Sequence, residues 1–191
     1  LEWNNKSIHA KYDNNLNLIN ETEHNWDFKH DSEPFFNNNY IIYQAYDQNN
    51  NDAITTYNFI DGSTDQLEWT RNERHDKHFV NLDSSKSVYL YGVSISSPDF
   101  ADENNRDIFG ILVDETGSFI GDEVHLTNQI GNEYIQNIKT TDDGGFEIIY
   151  SANDISKDVS TNLLEWNNKS IHAKYDNNLN LIEETEHIWD F

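Results

Sequence analysis

The strongest constraint on this chain is that its first 28 residues return almost unchanged as its last 28. LEWNNKSIHAKYDNNLNLINETEHNWDF at 1–28 reappears at 164–191, and only two positions differ, Asn20/Glu183 and Asn25/Ile188. A match this close across 163 residues indicates one full period of a tandem array plus the start of the next copy. The duplication therefore predicts a repetitive, architectural protein.

Composition favours a folded all-β chain and excludes several partners. Of the 191 residues, 36% are hydrophobic and 13% aromatic, which is enough for a core, and the scarcity of Ala and the absence of Met favour strands over helices. The net charge of -23 repels phosphates and anionic lipids, so we expect no nucleic-acid partner. No segment has the roughly 20 apolar residues of a membrane span, and membrane insertion is not expected. Without Cys, disulfides and cysteine zinc sites are excluded.

A four-strand pattern recurs three times between the two copies. Each unit has a short first strand, a turn, a strongly apolar second strand, a loop, and a third and fourth strand joined by another turn. The second strands have so few polar residues that burial on both faces is predicted. In SIHAKY the alternation predicts one buried face and one wet face. The second strands begin at Tyr40, Val88 and Phe146, the third at Ala53, Asp107 and Ser170, and the fourth at Thr64, Phe119 and Leu181.

These units predict an all-β fold built from antiparallel four-stranded repeats. Three units in one period give about 54 residues each, close to known propeller repeats. We interpret them as β-propeller blades, with a β-solenoid or a string of small β-sandwiches as alternatives. The predicted boundaries are a half repeat at 1–28, which supplies strands three and four of a preceding unit, unit 1 at 29–73, unit 2 at 74–130, and unit 3 at 131–191, whose 164–191 duplicates 1–28.

Two segments resemble a known family. DDGGFEIIYS at 142–151 has an aspartate-glycine-glycine turn before an apolar strand, and DIFGILVDETGSFIGDEVHL at 107–126 has an I-(Y/F)-G-x-x-(F/V)-D-x-x-G hairpin followed by a G-x-E strand. They resemble the propeller-like repeats of very large secreted bacterial surface proteins and adhesins, whereas Ser170–Glu184 departs from that pattern. The resemblance implies a repeat architecture on a cell surface and no catalytic role. The matching positions are Asp143, Gly144, Gly145, Phe146, Ile108, Phe109, Gly110, Val113, Asp114, Gly117, Gly121 and Glu123.

The third hairpin turn is a candidate calcium site. Oxygen-bearing side chains stand at positions 1, 3, 5 and 9 of the turn, and calcium takes about six to eight oxygen ligands. Asp and Asn also close hairpin turns by accepting local backbone hydrogen bonds, and the glycine usual at position 6 of calcium loops is absent, so both interpretations stay open. The three sets are Asp13, Asn15, Asn17 and Glu21; Asp114, Thr116, Ser118 and Asp122; and Asp176, Asn178, Asn180 and Glu184.

A second candidate site would bind sugar. Leu-Glu-Trp occurs at 1, 67 and 164, and an exposed Trp beside acidic and amide side chains can stack on a sugar ring, although Trp in a blade also packs in the core. His75 and His78 are expected in a surface loop and not at a metal. The predicted glycan patch consists of Glu68, Trp69, Arg71 and Asn72.

The sequence lacks a nucleophile elbow, a phosphate-binding glycine loop and a zinc-binding His-Glu-x-x-His pair, so we expect no enzyme. The main hypothesis is a structural repeat module of a large extracellular or cell-surface protein. Its partners would be further copies of the same repeat, in one chain or in a homo-oligomer or filament. The alternative is a calcium-assisted carbohydrate-binding propeller, with calcium as cofactor and glycans as partners.

Overall fold

The computed structural model describes every residue except 1–4, 27–28, 31–34, 38, 47–51, 69–73, 95–105, 130, 158–163 and 189–191. The described chain contains strands and turns and no helix, which confirms the predicted all-β class. The strands are β1 (Asn5–Tyr12), β2 (Leu18–Trp26), β3 (Lys29–His30), β4 (Phe35–Phe36), β5 (Tyr40–Tyr46), β6 (Asp52–Asn58), β7 (Thr64–Glu68), β8 (Arg74–Asn81), β9 (Lys86–Ser94), β10 (Arg106–Asp114), β11 (Phe119–His125), β12 (Asn132–Thr140), β13 (Phe146–Lys157), β14 (Leu164–Tyr175) and β15 (Leu181–Ile188).

Antiparallel pairing groups these strands into one hairpin and three units. The N-terminal hairpin, β1–β2, is a two-stranded sheet of its own. In unit 1, β3 and β4 both pair with β5, and β6 and β7 follow. Unit 2 (β8–β11) and unit 3 (β12–β15) are four-stranded antiparallel meanders, joined into one sheet by a single parallel pair, Arg106 with Asn132. Unit 3 ends in β14–β15, the C-terminal hairpin.

Unit 2 lies between two hydrophobic cores. Because successive side chains of a strand point to opposite faces, alternate residues of β9 and β10 enter different cores. Among the described strands no ring of sheets closes, so the blade arrangement stays a prediction. The core shared with unit 3 contains Val88, Leu90, Ile108, Leu112, Phe146, Ile148 and Tyr150. The core shared with unit 1 contains Tyr89, Tyr91, Phe109, Ile111, Tyr40 and Ile42.

The predicted burial of the second strands on both faces holds for two units and is wrong for the third. The described β5 residues, Tyr40–Tyr43, are buried without interruption, as are Val88–Val93 of β9. In β13, however, Ile149 is exposed. On that face the Glu147 carboxylate lies 3.6 Å from the Lys139 ammonium and 3.3 Å from His172 Nε2. Polar and charged side chains are well hydrated, which is why this face needs no apolar cover.

Of two sequence predictions about histidine-bearing segments, one is confirmed and one is wrong. In β14, Ile171, Ala173 and Tyr175 are buried while His172 is exposed, which confirms the predicted alternation. The surface loop expected around His75 and His78 is wrong, because both residues lie on β8 and pair with β9. The strand accommodates its polar start through a register shift between them. Burial lowers the pKa of His78.

Candidate functional site: the duplicated hairpin

The two copies of the hairpin have the same conformation. In both, the strand register shifts just before the turn, at Lys11/Tyr12 and at Lys174/Tyr175. The turn residue Leu16 has φ 64° and its counterpart Leu179 has φ 67°. Such left-handed backbone is uncommon for a leucine, so its recurrence indicates that the local sequence determines the shape of the hairpin.

An aspartate closes each of these turns. Asp13 Oδ1 accepts hydrogen bonds from the amides of Asn15 and Asn17 at 2.8 and 2.9 Å. Asp176 Oδ1 accepts the same two bonds, from Asn178 and Asn180, at the same distances. Side-chain hydrogen bonds from Asn17 and Asn180 lead the causes that lower the pKa of the two carboxyl groups.

The structure brings together three of the four positions in each candidate calcium set. Asp114 Oδ1 likewise accepts from the amides of Thr116 and Ser118. The ninth position, in contrast, lies out on the following strand. Glu184, for example, accepts hydrogen bonds from Tyr150 Oη at 3.2 Å and Gln129 Nε2 at 3.3 Å. Within the residues that the structure describes, no three His, Asp or Glu side chains are grouped to hold a metal ion.

The two copies differ in what covers their apolar face. In the C-terminal hairpin Ile171, Tyr175 and Leu179 are 0%, 1% and 4% exposed. The counterparts in the N-terminal hairpin, Ile8, Tyr12 and Leu16, are 60%, 54% and 83% exposed. Covering these three side chains would contribute at most about 6 kcal/mol. One sequence therefore has two environments in a single chain.

Two neighbouring apolar positions serve as an internal control. Leu18 and its counterpart Leu181 are both 51% exposed, and Ile19 and Ile182 are 58% and 54% exposed. Because the two copies agree at these positions on the second strand, the difference lies in the face formed by the first strand and the turn, which carry Ile8, Tyr12 and Leu16. That face is the candidate functional surface.

The C-terminal hairpin is covered by a surface that we call the seat, which consists of the edge of β13 and the face of unit 2 beside it. The Tyr175 ring stacks on Phe146 with centroids 5.2 Å apart, and its hydroxyl donates a 2.9 Å hydrogen bond to the carbonyl of Leu126. Lys86 of unit 2 donates to Asn178 Oδ1 at 3.3 Å. Unit 2 and unit 3 thus both contribute to the seat.

Gly145 allows the hairpin to approach the seat closely. A Cβ at this position would lie 2.2 Å from the carbonyl oxygen of Tyr175, a distance that no side chain tolerates. Gly145 belongs to the aspartate-glycine-glycine turn, so the glycine in that motif has a packing reason here.

A buried carboxylate next to the seat, that of Glu133, is not evident from the sequence. Glu133 is fully buried. Its carboxylate accepts hydrogen bonds from the Thr127 hydroxyl, from the Gln129 amide at 2.7 Å and from the Ile108 amide at 3.2 Å. Burial raises the pKa of Glu133 to about 7, although these hydrogen bonds by themselves lower it. Glu133 therefore links unit 3 to unit 2 through three donors.

The predicted glycan patch lies mostly outside the described residues. Glu68 ends β7, whereas Trp69, Arg71 and Asn72 lie outside the described residues. No helix long and apolar enough to span a membrane occurs in the described part of the chain. Comparison with protein-family models, with curated proteins and with solved structures gives no match.

Proposed function

We propose that this chain is a non-catalytic structural repeat module of a large extracellular or cell-surface protein, where copies pack head to tail into a stalk, fibre or coat. The main supporting observation is the duplicated hairpin, whose apolar face is covered in the C-terminal copy and exposed in the N-terminal copy. A bare apolar face of this kind is normally covered in the working assembly. The seat covers the C-terminal copy of this hairpin. The seat of a second repeat would therefore be a matching surface for the N-terminal copy.

The stacking of the units supports the same proposal. Unit 2 shares one core with unit 1 and another with unit 3, which is the arrangement expected of successive propeller blades. Propellers close with about four to eight blades. The hairpin and three units amount to fewer blades than that, so further copies would be needed either to close a ring or to extend an open stack.

The proposed location rests on the family resemblance and on charge. The resemblance to repeats of secreted bacterial surface proteins implies a cell surface. A net charge of -23 would make neighbouring molecules repel and keep a long array in solution. In such an array, stability is expected to depend on the contacts between adjacent repeats.

The test is a polypeptide in which two periods are joined through one shared hairpin. The internal hairpin then has neighbours on both sides. We expect one cooperative unfolding transition at higher temperature than in the single chain, measured by calorimetry. If the two periods melt independently at the temperature of the single chain, the proposed function is wrong.

A further inference from the structure

The edge of β13 is where the two hairpins can be compared residue by residue. β14 pairs with β13 continuously from Phe146↔Tyr175 to Lys157↔Leu164. In the described structure, β1 pairs only with β2, so its other edge has no strand beside it. The differing positions, 20/183 and 25/188, lie on β2 and β15. β1 therefore carries the counterparts of residues 168–175, the eight residues nearest the turn among the twelve that β13 pairs with in β14.

We propose that the seat is exchangeable, so that the N-terminal hairpin of one copy takes the place of the C-terminal hairpin of a second copy. In that register Tyr12 would lie opposite Phe146, and Ile8 opposite Tyr150. The inference rests on the proposed function and names its partner, a second copy of this chain. Because the contact joins two different segments of nearly identical sequence, it is a heterologous, head-to-tail contact, and it extends into larger species wherever it does not close into a ring.

The N-terminal hairpin carries the side chains that the seat recognises. Tyr175, Asn178 and Glu184 bond to Leu126, Lys86 and Gln129 in the C-terminal copy. Their counterparts, in the same order, are Tyr12, Asn15 and Glu21.

In the part of the chain that the structure describes, there are one seat and two hairpins whose sequences fit it. The C-terminal hairpin is tethered beside the seat, and a short tether gives an effective concentration of about 1 mM. At micromolar protein concentration it therefore occupies the seat in nearly every molecule. Exchange increases when the protein is concentrated or when the C-terminal hairpin is weakened.

The first test uses one substitution at matched positions of the full chain. Ile171→Asp places a charge in the covered face and weakens the C-terminal hairpin, whereas Ile8→Asp disables the N-terminal one. We expect Ile171→Asp to raise the fraction of dimers and larger species at least about tenfold over wild type, measured by light scattering coupled to gel filtration. Adding Ile8→Asp to that variant should return it to a monomer. Equal masses for the folded single and double variants would overturn the proposal.

The second test does not depend on whether Ile171→Asp folds. The chain has no Cys, so His9→Cys with Ile149→Cys gives a clean pair. Residues directly opposite in antiparallel strands have Cβ atoms about 4.5–5.5 Å apart, near the reach of a disulfide. Under slow oxidation of the concentrated protein, we expect a disulfide-linked dimer on a non-reducing gel.

Two control cysteine pairs are needed to interpret the disulfide-linked dimer. Ile149→Cys with His172→Cys should crosslink within one chain, because these residues are paired in the structure. His9→Cys with Ile60→Cys reports random encounter, because Ile60 lies on an exposed turn. If the His9/Ile149 pair gives no more dimer than this encounter control while the His172 pair crosslinks, the exchange does not occur. Joined periods that stabilise each other would still support the proposed function in that case.

Discussion

Replacing the same isoleucine in the two hairpins would separate the contribution of the local sequence from that of the neighbouring units. Ile171 is fully buried and Ile8 is mostly exposed, although the residues around them are the same. Ile171→Ala removes buried methyl and methylene groups and leaves a cavity, so we expect it to lower the free energy of unfolding by about 3 kcal/mol. Ile8→Ala should change that free energy by no more than about 0.5 kcal/mol.

The difference is large enough for calorimetry and for urea titration. In a domain of this size it corresponds to a Tm about 5–10 °C lower for Ile171→Ala than for Ile8→Ala. The measurement should be made at low protein concentration, where the N-terminal hairpin of a second copy does not replace the weakened C-terminal hairpin. Leu18→Ala and Leu181→Ala are the matched control, since both positions are equally exposed and should respond equally. Equal losses for Ile8→Ala and Ile171→Ala would refute the assignment of separate environments.

Three further predictions concern the seat and the turns. Gly145→Ala should release the C-terminal hairpin, because its Cβ would collide with the Tyr175 carbonyl; faster amide hydrogen exchange in β14–β15 than in β9–β10 would show this, and unchanged protection would contradict it. Glu133 holds a proton in the folded state that the unfolded chain loses between pH 4.5 and about 7, so the free energy of unfolding should fall by up to about 3 kcal/mol as pH rises through that window; Glu133→Gln should flatten the fall in pH-dependent urea titrations, and an unchanged slope would exclude Glu133 as its source. If calcium binds the third-hairpin turns, added calcium should raise Tm, chelator should lower it, and Asp176→Ala should weaken both effects; a Tm insensitive to chelator leaves only the hydrogen-bonded turn.

The strands could be predicted because their signals are local. Apolar runs such as the one from Val88, and the alternation from Ser170, identify strands and their buried faces without knowledge of the neighbours. The predicted burial failed at Ile149 because a short apolar run does not reveal whether a second sheet covers it. Only the neighbouring units decide this.

The site depends still more on distant residues. Ile8 and Ile171 lie in identical sequence from 1 to 19 and from 164 to 182, so no sequence pattern could separate their burial. Glu133 is one carboxylate in a very acidic chain, and its three donors all belong to unit 2 residues, Ile108, Thr127 and Gln129. Burial raises its pKa only after folding has brought these groups together. The duplication itself was visible, but the different environments of its two copies were not.

In the proposed array, the number of bare hairpin faces does not grow with the number of copies. A stack of any length exposes one face like that of Ile8, Tyr12 and Leu16, while every added repeat brings its full negative charge. The exposed apolar area per residue therefore falls as the array lengthens, and a longer array should be less prone to aggregation than a single copy. Selection for a polar capping unit would then act at one end of the array, because terminal repeats need a polar outer face.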